Sequence, residues 1–327
     1  MITGLPPTFE ATVDQQFGSY ANFKILVPLL PDTKTSLFEG GHTRLATGSS
    51  KGYEILKSCH NRTSEKSVIF TNPSSPSKDT AADYCDLTIE VTSPDVCQIK
   101  VDFMTFDIDP PAAGVCSRDR FQILGAGAAN LGIGSLCGVN TDQHIYIDVS
   151  QQTRPQTITL VFITDSQDDY EWKLKITQID CKNDKKDLRA KSIISSFNFG
   201  EYTLNQDYSI CIKRDLTSCA VKYTASDVDW SIDTSGADKA KSGVGTTQCN
   251  QDYVILSRGS ATGDDPSQDR YCGGVLNPDS AGQIDTAADV ISKSKGPIII
   301  RFHTDGTHET AAKDGFRLTY EQINTGC

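Results

Sequence analysis

The stretch VCSRDRFQIL, from Val115 to Leu124, has a counterpart further along the chain in QCNQDYVILS, from Gln248 to Ser257. Both contain Cys-x-x-Asp directly before an apolar segment, and a Cys-Gly pair follows each of them. Each copy then closes with an alternating segment that ends in a cysteine, Trp172–Cys181 in the first and Phe316–Cys327 in the second. Landmarks in the same order at similar spacing indicate an internal duplication and two tandem domains.

The repeat divides the chain, and two further landmarks support the division. Cys97 and Cys219 open equivalent segments, and VFITD (Val161–Asp165) corresponds to RFHTD (Arg301–Asp305). The predicted units are an unassigned N-terminal extension at 1–58, a first domain at 59–181, a linker at 182–195 and a second domain at 196–327.

Composition excludes several classes of protein. The chain has 327 residues, of which 22% are charged and 37% hydrophobic, so it is globular. It has no apolar run long enough to span a membrane, and the net charge of −11 argues against binding nucleic acid. The first residues lack the pattern of a secretory signal, so we expect such a signal to have been removed or to precede Met1.

The cysteines indicate an oxidising compartment. Eleven cysteines are distributed singly without a C-x-x-C pair, which favours disulfides over zinc sites or thiol redox chemistry. Asn61-Arg62-Thr63 is a glycosylation sequon and points to the same compartment. We therefore predict a secreted, extracellular protein that is glycosylated at Asn61.

The apolar pattern predicts an all-β fold. From Val68 onward the chain consists of short segments rich in β-branched and aromatic residues, separated by turn residues, with no convincing helical period. Such strand spacing is typical of a two-sheet sandwich in each repeat.

These features together resemble a tandem pair of CUB domains, the extracellular β-sandwich module with a jelly-roll-like fold. Cys59 and Cys85 bracket a stretch similar to the start of that domain, and Ser196–Arg214 is similar to secreted two-CUB proteins of arthropods. The resemblance and the repeat imply the disulfides Cys59–Cys85, Cys97–Cys181, Cys116–Cys137, Cys219–Cys327 and Cys249–Cys272. Cys211 is left over, either as a buried thiol, in an intermolecular bridge or paired with Cys181.

The resemblance also implies a calcium site made of three acidic positions. In the first copy these positions are Asp109, Asp119 and Asp165, and in the second Asp252 and Asp305 match. Calcium prefers several oxygen ligands, which converging carboxylates supply. The sequence does not decide whether Asp227, Asp229 or Asp233 is the third acid of the second copy. The alternative interpretation is that all these acids are solvated, or accept hydrogen bonds from turn amides.

The first copy departs from the family pattern in two respects. Asp109 stands where the family usually has glutamate, and the tyrosine that supports the family site has no clear equivalent.

Motifs for catalysis are incomplete. HETAA (His308–Ala312) lacks the second histidine of a zinc protease helix, and FQILGAGAAN has Asn130 where a nucleotide-binding loop needs glycine. We therefore expect a non-catalytic binding protein that recognises an extracellular protein or glycan partner, with calcium as the implied cofactor. The alternatives are a self-assembling component of extracellular matrix or cement, and the recognition arm of a CUB-containing protease.

Overall fold

The computed structural model describes most of the chain from residue 54 onward. The described residues are 54–125, 127–128, 131–149, 154–165, 167–180, 191–233, 240–307 and 314–325, together with the backbone of a two-residue strand at 23–24. The segment His308–Ala312, Asn130 and the cysteines Cys181 and Cys327 lie outside them.

The first domain is a sandwich of two sheets. Strand β1 (Phe23–Lys24) precedes this domain in the chain and is not part of its sheets. The strands of the first domain are β2 (Leu56–Lys57), β3 (Asn61–Thr63), β4 (Ser67–Thr71), β5 (Asp83–Val91), β6 (Val96–Asp107), β7 (Arg120–Gly125), β8 (His144–Asp148), β9 (Gln156–Thr164) and β10 (Glu171–Asp180). One sheet has the order β2-β4-β10-β6-β8 and the other the order β3-β5-β9-β7.

Aromatic side chains fill the core of this sandwich. In β10, Trp172, Leu174 and Ile176 are buried while the residues between them are half-exposed, as alternation along a strand requires. The Trp172 ring stacks on Phe162 of the opposite sheet at 3.9 Å between ring centroids. Phe121 meets Phe106 edge to face, so the two sheets are joined by ring contacts as well as by apolar burial.

The second domain repeats this architecture. Its strands are β11 (Lys191–Ser195), β12 (Asp207–Ile212), β13 (Ala220–Thr224), β14 (Trp230–Ser231), β15 (Ser242–Val244), β16 (Tyr253–Ser260), β17 (Gln268–Gly273), β18 (Val290–Ser292), β19 (Ile298–His303) and β20 (Gly315–Ile323). The order β12-β19-β16 corresponds to β5-β9-β7, and β18-β13-β20-β11 corresponds to β8-β6-β10-β4. The all-β fold class predicted from the sequence is thus confirmed.

Helix is confined to single turns in the described residues. α1 comprises Gly245–Gln248, and a 3-10 turn comprises Asp227–Asp229. Neither has the length or apolar character to cross a bilayer, and the same holds for every helix in the described part of the chain.

In the second domain the two layers are hydrogen-bonded into one continuous sheet. The pairing of β16 with β19 ends at Leu256, and the end of β16 then pairs with β18, where Gly259 lies opposite Ser292. A Cβ atom on Gly259 would come within 2.4 Å of the Tyr271 hydroxyl and 2.6 Å of a Val290 methyl group. Glycine therefore permits the close approach that connects the layers.

Three disulfides join described cysteines, in the pairs that the resemblance implies: Cys59–Cys85, Cys116–Cys137 and Cys249–Cys272. Cys97 and Cys219 are also disulfide-bonded, and their expected partners lie outside the described residues. Cys211 is a free, buried thiol.

Polar contacts of defined geometry connect the two domains. The Asn140 side-chain amide donates to Asn198 Oδ1 at 2.9 Å, and the Asn198 backbone N–H donates to Asn140 Oδ1 at 2.9 Å. The Gln143 amide donates to Ser195 Oγ and to the Ser196 carbonyl. Because both asparagines are buried, losing either partner leaves unsatisfied polar groups inside the protein.

Apolar contacts complete the same interface. Phe197 of the second domain lies 6.3 Å from Phe103 of the first, measured between ring centroids. Cys211 in β12 packs with Tyr146 and Ile179 of the first domain in a small buried cluster. The leftover cysteine of the sequence is therefore an interface residue.

The predicted N-terminal extension contributes a strand to each domain. β1 pairs in parallel with β12 at the edge of the second-domain sheet, and β2 pairs in parallel with β4 of the first domain. The rest of residues 1–53 lies outside the described part of the chain.

The position of Cys211 predicts its reactivity. Cys211 is 7% exposed, and burial raises the pKa of its thiol. Native Cys211 should therefore react with iodoacetamide only when the domains separate or unfold. We expect Asn140→Ala to accelerate this alkylation about tenfold, because the reciprocal amide contact is lost. Mass spectrometry of timed samples measures the rate.

A matched control separates local opening from general destabilisation. Asn72 is also buried, and its amide donates to the Ser77 carbonyl within the first domain. Asn72→Ala should leave the alkylation rate of Cys211 near that of the unmodified chain. Equal acceleration in both variants would show that Cys211 reports unfolding and not separation of the domains.

Candidate metal centre

The three acids predicted for the first domain converge at one end of its sandwich. Asp109 follows β6, Asp119 precedes β7 and Asp165 follows β9, and their carboxylate oxygens lie within 4.8 Å of one another. Asp109 and Asp119 are buried, whereas the Asp165 side chain is 31% exposed. The cluster therefore has a closed inner part and one open acid.

Asp119 holds the other two acids in place through the backbone. Its Oδ1 accepts the N–H of Asp165 at 2.8 Å, and its Oδ2 accepts the N–H of Asp109 at 3.3 Å. Asp165 in turn accepts the Gln167 N–H at 2.9 Å. The acids thus do accept hydrogen bonds from turn amides, as the alternative interpretation expected, and they also converge as a metal site requires.

Arg118, the residue before Asp119, lies against the same cluster. Its Nε and Nη2 contact both carboxylate oxygens of Asp165 at 3.0 and 3.2 Å, and its Nη1 contacts Asp168 at 2.9 Å. Nη2 also lies 3.0 Å from Asp109 Oδ2, as an ion pair without hydrogen-bond geometry. Sequence reasoning missed Arg118, although it stands inside the repeated motif, because the two middle positions of Cys-x-x-Asp were treated as unconstrained.

The electrostatics of the cluster follow from burial and crowding. Burial, and then the neighbouring Asp119 charge, raise the pKa of Asp109 to about 6, against the opposing effect of Arg118. Burial likewise raises the pKa of Asp119, whereas the hydrogen bonds from Arg118 lower the pKa of Asp165. Three carboxylates contact one guanidinium and the buried Asp119 adds a fourth negative charge, and this excess of negative charge on hard oxygen donors suits a calcium ion.

The second domain builds the corresponding arrangement around Asp252. Asp252 Oδ1 accepts the Asp305 N–H at 2.7 Å, as Asp119 does for Asp165 in the first domain. Its Oδ2 accepts the hydroxyl of Tyr202 at 2.5 Å, and the Tyr202 oxygen accepts the Asp233 N–H at 3.1 Å. This arrangement connects Tyr202, Asp233 and Asp252. The sequence alone did not decide among the acids at 227, 229 and 233.

Among the described residues only the first-domain acids bring three carboxylate oxygens within 4.8 Å, so Asp252 and Asp305 do not form an equivalent cluster with a third acid. Asp233 is the candidate for that third acid that this arrangement includes. It is 1% exposed and adjoins Tyr202. Asp227 and Asp229 belong to the 3-10 turn instead, and Asp229 accepts the Ser226 hydroxyl and lies 3.5 Å from Arg317. Burial raises the pKa of Asp252 to about 6, although the Tyr202 hydroxyl acts in the opposite direction.

The loop of the first site also touches the second domain. The Gly114 N–H donates to Glu201 Oε1 at 3.1 Å, and the Gly114 carbonyl accepts the Leu204 N–H at 3.0 Å. Tyr202, which supports Asp252, lies between these two contact residues in the chain. The two acidic sites are thus connected through one short segment.

Asn61, the expected glycosylation site, is half-buried in β3. Its amide nitrogen donates to the carbonyl groups of Ser58 at 3.2 Å and Cys59 at 3.0 Å. Glycosylation at Asn61 remains a prediction.

Removal of the Tyr202 hydroxyl tests its support of the second site. Tyr202→Phe leaves one oxygen of the buried Asp252 without its donor, so we expect the free energy of unfolding to fall by about 2 kcal/mol. Urea unfolding measures this loss. Tyr84→Phe, at a tyrosine that is 51% exposed, is the control and should change stability by less than about 0.5 kcal/mol. Equal stability of both variants would contradict the assigned contact.

Comparison with solved structures gives distant likenesses. The CUB1-EGF-CUB2 domains of rat MASP-1 are 13% identical, with 80% of this chain and 100% of that chain covered and a TM-score of 0.28. The corresponding human MASP-1/3 structure is 15% identical, with 79% and 100% covered and a TM-score of 0.27. The MASP-1 CUB2 domain bound to Ca2+ is 20% identical, with 36% and 98% covered and a TM-score of 0.28. No curated protein matches the sequence.

Both repeats match known domain families. The CUB domain matches residues 59–175, and the animal CUB domain matches residues 189–323. These matches overlap the two sequence repeats and the two β-sandwiches described above. The second match begins at residue 189, inside the segment 182–195 that the sequence suggested as a linker, where β11 belongs to the second-domain sheet. The chain therefore belongs to the CUB-domain family and carries two CUB domains in tandem.

Proposed function

We propose that this chain is a non-catalytic extracellular binding protein whose first domain uses a calcium-loaded acidic cluster to capture a basic side chain of a protein partner. The observation that carries this proposal is the convergence of Asp109, Asp119 and Asp165 within 4.8 Å at a loop end of the sandwich. CUB domains are typically interaction modules, and the disulfides suit an oxidising extracellular compartment.

Calcium would contribute charge and order at this end of the domain. Asp109, Asp119 and Asp165 are the residues that would hold the ion, and the half-exposed Asp165 gives the cluster an opening to solvent. A carboxylate oxygen that does not itself bind the ion can still accept a charge-assisted hydrogen bond from an incoming ammonium or guanidinium group.

Exposed apolar residues border the acidic end. Val115 is 51% exposed and Val139 is 63% exposed, and the disulfide Cys116–Cys137 holds their loops together. Val139 also pairs through its backbone with Asp107 at the end of β6. An acidic centre with an apolar border suits a partner that presents lysine or arginine beside apolar residues.

A lysine peptide tests this function directly. The full chain is immobilised on a biosensor and exposed to a peptide with one lysine between apolar residues, in calcium and in chelator. We expect binding in calcium, loss of binding in chelator, and at least about tenfold weaker binding to Asp165→Asn, because a charge-assisted contact is removed.

Two controls complete the experiment. The same peptide with Nε-acetyllysine lacks the charge and should not bind. Asp264→Asn removes an exposed acid of the second domain that pairs with Lys293, and it should bind like the unmodified chain. Equal binding of the acetylated peptide, or binding that persists in chelator, would refute the proposed mode of capture.

A further inference from the structure

Arg118 brings a positive charge from the chain itself to the acidic cluster of the first domain. Its guanidinium contacts both oxygens of Asp165, one oxygen of Asp168 and the buried oxygen of Asp109. The planar group thereby uses Nε and both terminal nitrogens on carboxylates, which is the arrangement in which arginine binds acids most strongly. Its side chain is 32% exposed, so it covers the cluster from the solvent side.

The carboxylates that Arg118 contacts include two of the three that would hold a metal ion. A calcium ion bound to Asp109 and Asp165 would meet the guanidinium on the same oxygens, and two cations at such short range repel each other. Loading the site would therefore require Arg118 to give up these contacts. Because it is attached to the residue next to Asp119, Arg118 competes at a high local concentration.

The second domain shows the same scaffold without this competitor. The residue equivalent to Arg118 is Gln251 in the motif Cys-Asn-Gln-Asp, and it is uncharged. The buried Asp252 accepts the neutral hydroxyl of Tyr202, whereas the equivalent Asp119 accepts the N–H of Asp109. A hydroxyl donor satisfies an oxygen but leaves the negative charge in place, whereas a guanidinium cancels one unit of it.

We propose that Arg118 is a built-in counter-cation that orders the acidic cluster of the first domain in the absence of metal and competes with calcium for it, so that the cluster loads at higher calcium than it would without this residue. The inference rests on the calcium-dependent function proposed above and assigns its regulation to one residue. The first domain would then capture a partner only where calcium is abundant.

A reciprocal exchange between the two domains tests the inference. Arg118→Gln and Gln251→Arg are each introduced into the full chain, and calcium is titrated by calorimetry. We expect Arg118→Gln to bind calcium at the first domain roughly tenfold or more tightly than the unmodified chain, because the competing charge is gone, and Gln251→Arg, which adds a charge at the equivalent position of the second domain, to leave that affinity unchanged. In chelator, Arg118→Gln should melt at a lower temperature than the unmodified chain.

Two further variants isolate the charge. Arg118→Lys keeps the positive charge without the planar group and should bind calcium nearly as weakly as the unmodified chain. Arg62→Gln removes an exposed arginine of the first domain that pairs with Glu90, and it should leave calcium binding unchanged.

The outcomes distinguish the inference from the proposed function. Unchanged or weaker calcium binding by Arg118→Gln, together with calcium-dependent peptide binding by the unmodified chain, would overturn the inference alone. Calcium binding by Arg118→Gln but not by the unmodified first domain would support the inference and overturn the proposed function. Absence of calcium binding from every variant would overturn both.

Discussion

A buried aspartate that accepts a backbone N–H from a distant loop is the constraint on which both acidic sites depend. Asp119 accepts the N–H of Asp165, and Asp252 accepts the N–H of Asp305, at 2.8 and 2.7 Å. Each of these aspartates immediately precedes the strand that pairs with the strand leading to its partner loop. The Cys-x-x-Asp motif is repeated because its cysteine and its aspartate together position the loop end of each sandwich.

This constraint leaves the negative charge of the buried aspartates only partly compensated. Burial raises the pKa of Asp119, and of Asp252 to about 6, although both accept hydrogen bonds that act in the opposite direction. The hydrogen bonds therefore compensate only part of the cost of removing a carboxylate from water. Additional positive charge lowers that cost, and the first domain obtains some of it from Arg118.

The sequence predicted those features that depend on local pattern. Alternating strands follow from residues that are close in the chain, whereas the cysteine pairs and the acidic positions are what the repeat and the resemblance to CUB domains imply. The contact between Tyr202 and Asp252 joins separate loops, and the choice of Asp233 over Asp229 depends on a 3-10 turn that has no periodic signal. Such features become visible only when the loops are placed together.

Two other features depend on how larger pieces pack. The environment of Cys211 is set by Tyr146 and Ile179 from the other domain, so no pattern within its own strand could assign it. The continuity of the second-domain sheet depends on the space that Gly259 leaves for Tyr271. In both cases the deciding contact is between residues whose separation in the sequence carries no periodic information.

The two domains therefore share a scaffold and differ in how the buried acids are satisfied. A hydroxyl such as that of Tyr202 can stay hydrogen-bonded to Asp252 while a cation binds, because the donor is neutral. A guanidinium cannot remain on the same oxygens without repulsion from the ion, so Arg118 makes loading of the first site an exchange of one cation for another. Duplication of the fold thus need not duplicate a response to calcium, because in the proposed mechanism that response depends on the residue that precedes the buried aspartate.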